Sequence, residues 1–273
     1  RNDHIWIIHR PATLLDDEKG AQKNPPEGKC CTAAPPVMKF DAEGNLLAYW
    51  GGKGDGYTWM ANEHGIHVDR DGNVWVGGNN DGDQILKFSP EGKFLQQVGQ
   101  NDSTKGSNST TRLGRPAHMM TDDAANEIYV ADGYGNSTVH RFAADGTLIA
   151  SWGAPGRGPG AFTTPHAIAI DRSGRVLVGD RENNRVQLFD RTGAFLGEWT
   201  DFYHPMQIWI DDRDMVFVTD QIPRISLLSP DGRLVGRCRG AINGAHGLSG
   251  DAAGNLYMAE LPPQEITKLE RLN

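Results

Sequence analysis

The chain has little cysteine, no excess of basic residues and no long hydrophobic run. Three cysteines in 273 residues cannot form the disulfide framework of a small secreted domain. A net charge of −8 without a basic cluster argues against binding to the phosphate backbone of a nucleic acid. No apolar segment approaches the roughly 20 residues of a membrane-spanning helix. We therefore expect no nucleic acid partner and no membrane span.

The cysteines leave the redox compartment open. Cys30 and Cys31 are adjacent within an apparent insertion at residues 14–36, and Cys238 stands alone. Adjacent cysteines can close a vicinal disulfide or remain two reduced thiols. A cysteine pair of this kind favours a location outside the cytosol, periplasmic or secreted, although no signal peptide is visible.

The 34 glycines and 15 prolines suit a chain that turns often, and the segments between the turns repeat. Each unit contains four short apolar runs, and the clearest example occupies residues 165–171, 175–180, 185–190 and 194–199. Glycine-containing turns separate the runs, as in hairpins. The pattern predicts four antiparallel strands in each unit.

Similar units follow one another along the whole chain, which indicates a repeat architecture. Six units of four strands predict an all-β, six-bladed β-propeller that forms a single domain over residues 1–273. The first unit begins with a run that matches a second strand, and the sixth ends with a run that matches a third. We therefore expect the first and last blades to be incomplete within this sequence, and closure of the ring to use further sequence or leave a weakened seam.

Three histidines occupy the same position in different units. His64, His166 and His246 each lie five residues before an aspartate that opens a turn, whereas the matching slots of two other units hold Ala117 and Met206. Rotational symmetry would bring the three imidazoles together at one level of a central channel. Three protein ligands with an open fourth position are typical of catalytic zinc. The sequence thus predicts a Zn²⁺ site; the alternative is that these histidines cap strand ends or form hydrogen bonds across the channel.

Strand alternation gives expectations for the remaining histidines near the channel. His118 and His204 lie next to their slots, so they should face the other way as outer-shell or surface residues. His67 lies on the opposite face of its strand and should serve packing or hydrogen bonding.

A second group of polar residues follows the second strands, which open at the same mouth. Tyr134, Arg181 and Arg10 occupy these loops. A metal, a phenol and guanidiniums around one cavity suit a small or peptidyl anionic substrate whose hydroxyl must lose a proton. A tyrosine ordinarily has a pKa of about 10, which nearby cations lower, so it can serve as a base. The repeated aspartates Asp132, Asp180 and Asp220 are interpreted as structural turn residues.

Three segments carry a family resemblance. The units are similar to NHL repeats, and residues 129–136, 162–169 and 180–187 resemble the peptidyl-α-hydroxyglycine α-amidating lyase domain. The resemblance implies a six-bladed propeller that holds zinc with three histidines. It also implies cleavage of a carbinolamide to a peptide amide and glyoxylate, with a tyrosine base and arginines around the substrate.

The resemblance implies roles for individual residues. The zinc ligands would be His64, His166 and His246, the base Tyr134, and the substrate-binding arginines Arg181 and Arg10, of which Arg10 matches less closely. The chain departs from the family at Gly135, where the lyases have a disulfide-bonded cysteine. It departs again at Gly247 and Gly244, where they have a calcium-binding aspartate and a methionine near the substrate. These departures disfavour calcium and allow a pocket shaped for another substrate.

The function predicted from the sequence is a zinc-dependent lyase that acts on a small or peptidyl α-hydroxy compound. Peptidyl-α-hydroxyglycine is the default substrate, and we expect a monomer. Two alternatives remain. One is a non-catalytic NHL propeller that binds a protein or glycan. The other is a hydrolase similar to the calcium-dependent lactonase propellers, but the inward carboxylates that such enzymes need are not found at these slots.

Overall fold

The computed structural model describes residues 3–80, 82–101, 108–239, 243–261 and 264–272. These residues form six antiparallel sheets arranged as the blades of a propeller. Four of the sheets have four strands, and the first and last have three each. The predicted six-bladed β-propeller is confirmed.

The strands run in chain order from blade to blade. Blade 1 consists of β1 (Ile5–Ile8), β2 (Val37–Phe40) and β3 (Leu46–Trp50). Blade 2 consists of β4 (Glu63–Val68), β5 (Val74–Gly78), β6 (Gln84–Phe88) and β7 (Phe94–Gly99). Blade 3 consists of β8 (His118–Asp122), β9 (Glu127–Asp132), β10 (Thr138–Ala143) and β11 (Leu148–Trp152). Blade 4 consists of β12 (Pro165–Ile170), β13 (Val176–Asp180), β14 (Arg185–Phe189) and β15 (Phe195–Trp199). Blade 5 consists of β16 (Pro205–Ile210), β17 (Val216–Asp220), β18 (Arg224–Leu228) and β19 (Leu234–Cys238). Blade 6 consists of β20 (Ala245–Gly250), β21 (Leu256–Glu260) and β22 (Ile266–Leu269).

The turns between strands follow from the repeated aspartate and glycine. In blade 4, the Oδ1 atom of Asp171 accepts a hydrogen bond of 2.9 Å from the backbone N–H of Arg175. Gly174 in the same turn has a φ of +84°, a conformation that side chains with a Cβ rarely adopt. The turn therefore fixes the register of β12 against β13.

The core lies between adjacent blades. Val176, Val178 and Phe189 of blade 4 are fully buried in a cluster that also contains Tyr129 of blade 3. Trp152, at the end of the outer strand of blade 3, packs with its ring centroid 5.9 Å from that of Phe189. This tryptophan therefore packs between blades 3 and 4.

Blades 1 and 6 meet and close the ring. The ammonium of Lys268 in blade 6 donates to the carbonyl of Ala42 in blade 1 over 3.3 Å. The backbone N–H of Ala252 donates to Asp3 over 3.3 Å.

Within the described ranges, helix is limited to short 3-10 turns, and none has the length and apolar character that a membrane crossing requires.

A β-bulge lies at the histidine slot of the inner strands of blades 2, 4, 5 and 6. In blade 2, Glu63 pairs with Gly78 but Gly65 pairs with Gly77, so His64 is the extra residue of the bulge. The bulge lets consecutive side chains face the channel, since the strict alternation of a regular strand is interrupted there. In blade 3, His118 was predicted to face away from the channel as an outer-shell or surface residue. It is buried instead, with an exposed fraction of 7%, and it contacts Gln207 of blade 5, so the surface alternative is wrong.

The segment between β1 and β2 leaves the propeller at the channel mouth. It contains 3-10 turns at Pro11–Thr13 and Asp16–Gln22. His9 lies 2.7 Å from the carbonyl oxygen of Pro35 through Nε2, so the two ends of the segment are held together. Cys30 and Cys31 form a disulfide within it, and Cys238 is free and exposed.

Candidate active site

Three imidazoles converge at one end of the channel. The rings of His64 and His166 have centroids 5.0 Å apart, and His246 lies 4.8 Å from the first and 5.0 Å from the second. Each offers one nitrogen, and the three nitrogens lie within 4.8 Å of one another. Residues from blades 2, 4 and 6 thus meet because equivalent slots of alternate blades face one axis.

Hydrogen bonds fix the orientation of two of these rings. Nδ1 of His64 lies 2.8 Å from the carbonyl oxygen of Ala117, and Nδ1 of His166 lies 2.7 Å from that of Met206. In both cases the acceptor is the slot residue of the next blade. A carbonyl only accepts hydrogen bonds, so each Nδ1 carries the proton and each Nε2 presents a lone pair to the channel.

Burial keeps these imidazoles uncharged. It lowers the pKa of His64 and of His166 well below the ordinary value, and the neighbouring histidines lower both further. Burial is also the main cause that lowers the pKa of His246 to about 4, and the charges of Arg10 and Arg181 add to this. Near neutral pH, all three side chains are therefore in the form that ligates a metal ion.

The phenol of Tyr134 lies among the imidazoles. Its oxygen is 2.8 Å from Nε2 of His64 and 3.0 Å from Nε2 of His166. The phenol has one proton, so it can donate to only one of the two lone pairs. The lone pair of the other imidazole nitrogen therefore points at a lone pair of the phenol oxygen, and the two repel each other. A cation bound between them would remove this repulsion.

The loop that carries Tyr134 is held by buried contacts. Asp132 accepts hydrogen bonds of 2.7 Å from the backbone N–H of Gly114 and 2.6 Å from the side chain of Asn136. A Cβ at Gly135 would lie 2.4 Å from the carbonyl oxygen of Gly114. The glycine that departs from the family pattern is therefore required by the close approach of two backbone segments.

Two guanidiniums flank the cluster. Arg181 donates from Nη1 to the Tyr134 oxygen over 3.3 Å, and its guanidinium lies 5.5 Å from the centroid of the phenol ring. Arg10 donates from Nε to the backbone carbonyl of Glu63 over 2.7 Å, next to His64 in the chain. The structure thus brings all six predicted site residues together at one mouth of the channel.

The donor set fits a zinc ion. His64, His166 and His246 supply neutral imidazole nitrogens, which zinc takes as ligands, and three such ligands leave one position open for substrate. The carbonyl bonds of Ala117 and Met206 are the outer contacts that orient metal-binding histidines. Two nitrogens bound to one zinc cannot be more than about 4.2 Å apart, so ligation would draw the rings slightly inward.

His118 lies deeper in the channel. Its Nε2 is 3.2 Å from the side-chain nitrogen of Gln207, across the channel in blade 5. Burial lowers the pKa of His118 to about 4, and His67 adds to the shift. His67 itself contacts the hydroxyl of Thr121 at 2.8 Å, as its predicted hydrogen-bonding role requires.

The buried aspartates at the ends of the second strands serve structure. Asp180 accepts hydrogen bonds from Thr163, Asn183 and Arg185, and Asp220 accepts from Tyr203 and Arg224. Burial raises the pKa of both carboxyls, although these bonds oppose the shift. The interpretation of these residues as turn residues agrees with their contacts.

A Ser–His–Asp line in blade 3 has a similar structural explanation. His140 lies 2.7 Å from the hydroxyl of Ser151 and 3.2 Å from Asp132. In blade 4, Gln187 occupies the position that corresponds to His140 and donates to Asp180 over 3.1 Å. The Ser–His–Asp row is therefore one version of a set of side-chain hydrogen bonds that connects neighbouring strands of a blade.

Sequence reasoning missed one residue that contacts the site, Glu182; its partner His204 was named only as an outer-shell or surface residue. Glu182 accepts a hydrogen bond of 2.8 Å from Nε of Arg181, and its other oxygen lies 3.3 Å from Nε2 of His204. The only sequence signal was the position of Glu182 directly after Arg181. The contact between Glu182 and His204 joins two blades and has no counterpart in the linear pattern.

Comparison with known proteins adds to this geometry. The NHL repeat family model matches residues 162–189. Human NHL repeat-containing protein 3 is 28% identical over 88% of this chain and 74% of its own length. The probable peptidyl-α-hydroxyglycine α-amidating lyase pgal-1 of Caenorhabditis elegans is 28% identical over 77% of this chain and 64% of its length.

These matches agree with the architecture. The chain is a six-bladed propeller that contains an NHL repeat and resembles the amidating-lyase domain. A streptogramin B lyase structure superimposes with a TM-score of 0.60 and 17% identity, covering 86% of this chain and 72% of the other, and this likeness concerns the fold alone. The NHL-type propeller thus places three histidines, a tyrosine and two arginines at one end of its channel.

Proposed function

We propose that this NHL-type propeller is a zinc-dependent lyase that cleaves a small or peptidyl α-hydroxy substrate, by default a peptidyl-α-hydroxyglycine. One observation carries the proposal: the phenol oxygen of Tyr134 touches two inward-facing imidazole nitrogens and a guanidinium nitrogen. Packing of the channel alone does not require two imidazole lone pairs and the Arg181 guanidinium to point at the Tyr134 oxygen. The similarity to the probable amidating lyase pgal-1 supports the same reaction class.

The protein groups account for the proton transfers. When bound to the three histidines, zinc would supply a Lewis acid that lowers the pKa of the substrate hydroxyl. Tyr134, having first released its own proton to solvent, would take the proton from that hydroxyl. The C–N bond then breaks, the carbon becomes the aldehyde of glyoxylate, and the bonding electrons move to the amide nitrogen. Tyr134 returns the proton to that nitrogen, so the peptide amide leaves and the phenolate is restored.

The arginines suit an anionic substrate. Arg10 contacts the backbone carbonyl next to His64 and Arg181 contacts the Tyr134 oxygen, so both bring positive charge close to the cluster. The Nε atoms are engaged by Glu63 and Glu182, so we expect a ligand to be bound through the Nη nitrogens. A carboxylate next to the reacting carbon satisfies both features, because guanidinium binds carboxylate with charge-assisted hydrogen bonds.

A non-catalytic propeller is the second candidate. It is favoured by the similarity to human NHL repeat-containing protein 3, which spans more of this chain than the match to pgal-1 and whose name records only the repeats. In that case the histidines would bind a metal or stabilise the channel without turnover.

Turnover with a defined compound separates the two candidates. The zinc-loaded protein is incubated with N-benzoyl-α-hydroxyglycine, and glyoxylate and benzamide are quantified. We expect both products in equal amounts, and we expect the zinc-free protein to form them at the uncatalysed rate. A zinc-loaded protein that forms neither product above that rate would contradict the proposal and favour the non-catalytic propeller.

A further inference from the structure

A chain of polar contacts runs outward from the site across three blades. Tyr134 of blade 3 contacts Arg181 of blade 4 at 3.3 Å, and Arg181 donates to Glu182 over 2.8 Å. Glu182 in turn lies 3.3 Å from His204, on the loop that enters blade 5. His204 lies 2.8 Å from the side-chain oxygen of Gln221 through its Nδ1.

His204 is fixed from several sides. Its backbone has a φ of +50°, in the left-handed region. Its backbone N–H donates to the side chain of Asn184 over 2.8 Å. Its ring stacks on Tyr203 with the centroids 4.3 Å apart and the planes 9° apart. These contacts fix the ring with Nε2 toward Glu182. Nε2 donates to that carboxylate when it carries the proton and the Gln221 amide turns its nitrogen to Nδ1.

Arg181 needs such support. An arginine side chain loses about 2 kcal/mol of rotamer entropy when it is held in one conformation. The Nε bond to Glu182 holds the guanidinium near the phenol, and its side chain remains 20% exposed toward the mouth. Without Glu182, the guanidinium would sample solvent, and the nitrogen that contacts Tyr134 would be displaced.

We propose that Glu182 is a positioning residue that holds Arg181 over Tyr134, and that His204 holds Glu182. The proposal deepens the proposed function, since it assigns the recognition of the substrate carboxylate to an arginine that a neighbouring carboxylate orients. Glu182 itself does not touch substrate in this arrangement. It acts only through Arg181.

The test measures binding without turnover. N-benzoylglycine has the carboxylate of the proposed substrate but lacks the hydroxyl, so it can bind and cannot be cleaved. Its dissociation constant is measured by calorimetry on zinc-loaded wild type, E182Q, E182A and H204F, with zinc content verified for each. We expect a rise of about five- to tenfold for E182Q, a larger rise for E182A, and a smaller one for H204F, which keeps the stacked ring and loses the contact with Glu182.

The control variant is E198Q. Glu198 pairs with Arg185 at 2.7 Å in the same blade, and its side chain is 37% exposed, against 34% for Glu182. This second arginine–glutamate pair contacts the outer strand and not the channel. We expect E198Q to bind N-benzoylglycine within about twofold of wild type.

A double-mutant cycle shows whether Glu182 acts through Arg181. In the R181A background, the additional change E182A should leave the dissociation constant unchanged. An E182A effect that persists without Arg181, wild-type binding by E182Q, or a wild type that binds no N-benzoylglycine would each overturn the inference. The protein could also show the full binding pattern but release no glyoxylate from N-benzoyl-α-hydroxyglycine. That result would support the role of Glu182 in positioning Arg181 and contradict the proposed lyase function.

Discussion

His166 donates through Nδ1 to the carbonyl of Met206, 2.7 Å away in the next blade. This single bond decides the chemistry of the ring, because it leaves Nε2 unprotonated and turned toward the channel. His64 repeats the relationship with Ala117 at 2.8 Å. The residue that orients each imidazole thus comes from the adjacent inner strand.

The first prediction concerns the metal. Replacement of His166 by alanine removes one of three imidazoles that together bind zinc, so we expect the zinc content to fall from about one ion per chain to near zero. Elemental analysis after dialysis measures this. His118→Gln is the control, since His118 is buried in the same channel but does not belong to the cluster. Loss of zinc from the control and not from His166→Ala would refute the assigned ligands.

The second prediction concerns the proton transfer. Tyr134→Phe keeps the ring and removes the hydroxyl, so we expect kcat to fall by about 10²- to 10⁴-fold while zinc remains bound. Steady-state release of glyoxylate measures the loss. Tyr57→Phe is the matched control, because that hydroxyl contacts the carbonyl of Gly52 at 3.1 Å in another part of the propeller. A Tyr134→Phe protein with wild-type kcat would exclude the phenol as the base.

The third prediction concerns pH. Burial lowers the pKa of His118 from 6.5 to about 4, so the unfolded chain binds a proton at a higher pH than the folded protein does. The free energy of unfolding should therefore decrease as the pH falls from about 6.5 to about 4, by on the order of 3 kcal/mol from this residue. Urea denaturation of the metal-free protein at several pH values measures the slope. We expect a shallower slope for His118→Gln, and identical slopes would show that His118 is not the cause.

The fourth prediction concerns the loop that carries Tyr134. A methyl group at Gly135 would meet the carbonyl oxygen of Gly114 at 2.4 Å, whereas one at Gly158 would meet no atom within 4 Å. We expect Gly135→Ala to cost about 1–3 kcal/mol and to lower the melting temperature by several degrees. Thermal unfolding followed by circular dichroism compares it with Gly158→Ala, which should remain near wild type. Equal melting temperatures would show that the loop can move aside.

Much of the fold could be predicted from the sequence, because it depends on local patterns. Alternating apolar residues and glycine turns such as the one at Gly174 specify strands and hairpins wherever the segment lies. The placement of His64, His166 and His246 in one slot also predicted their convergence, since repetition around an axis converts sequence equivalence into proximity. The surface alternative for His118 was wrong, because its side chain is buried against Gln207 of blade 5, a partner that the apolar pattern of its own strand does not reveal.

The sequence by itself determined the number of blades and the convergence of His64, His166 and His246, because both follow from repetition. Only the tertiary structure decided how those residues are used. The proton position on His64 depends on a carbonyl of blade 3, and the support of Arg181 depends on a histidine of blade 5. Such contacts join residues far apart in the chain, so their geometry exists only after the blades have packed around the channel.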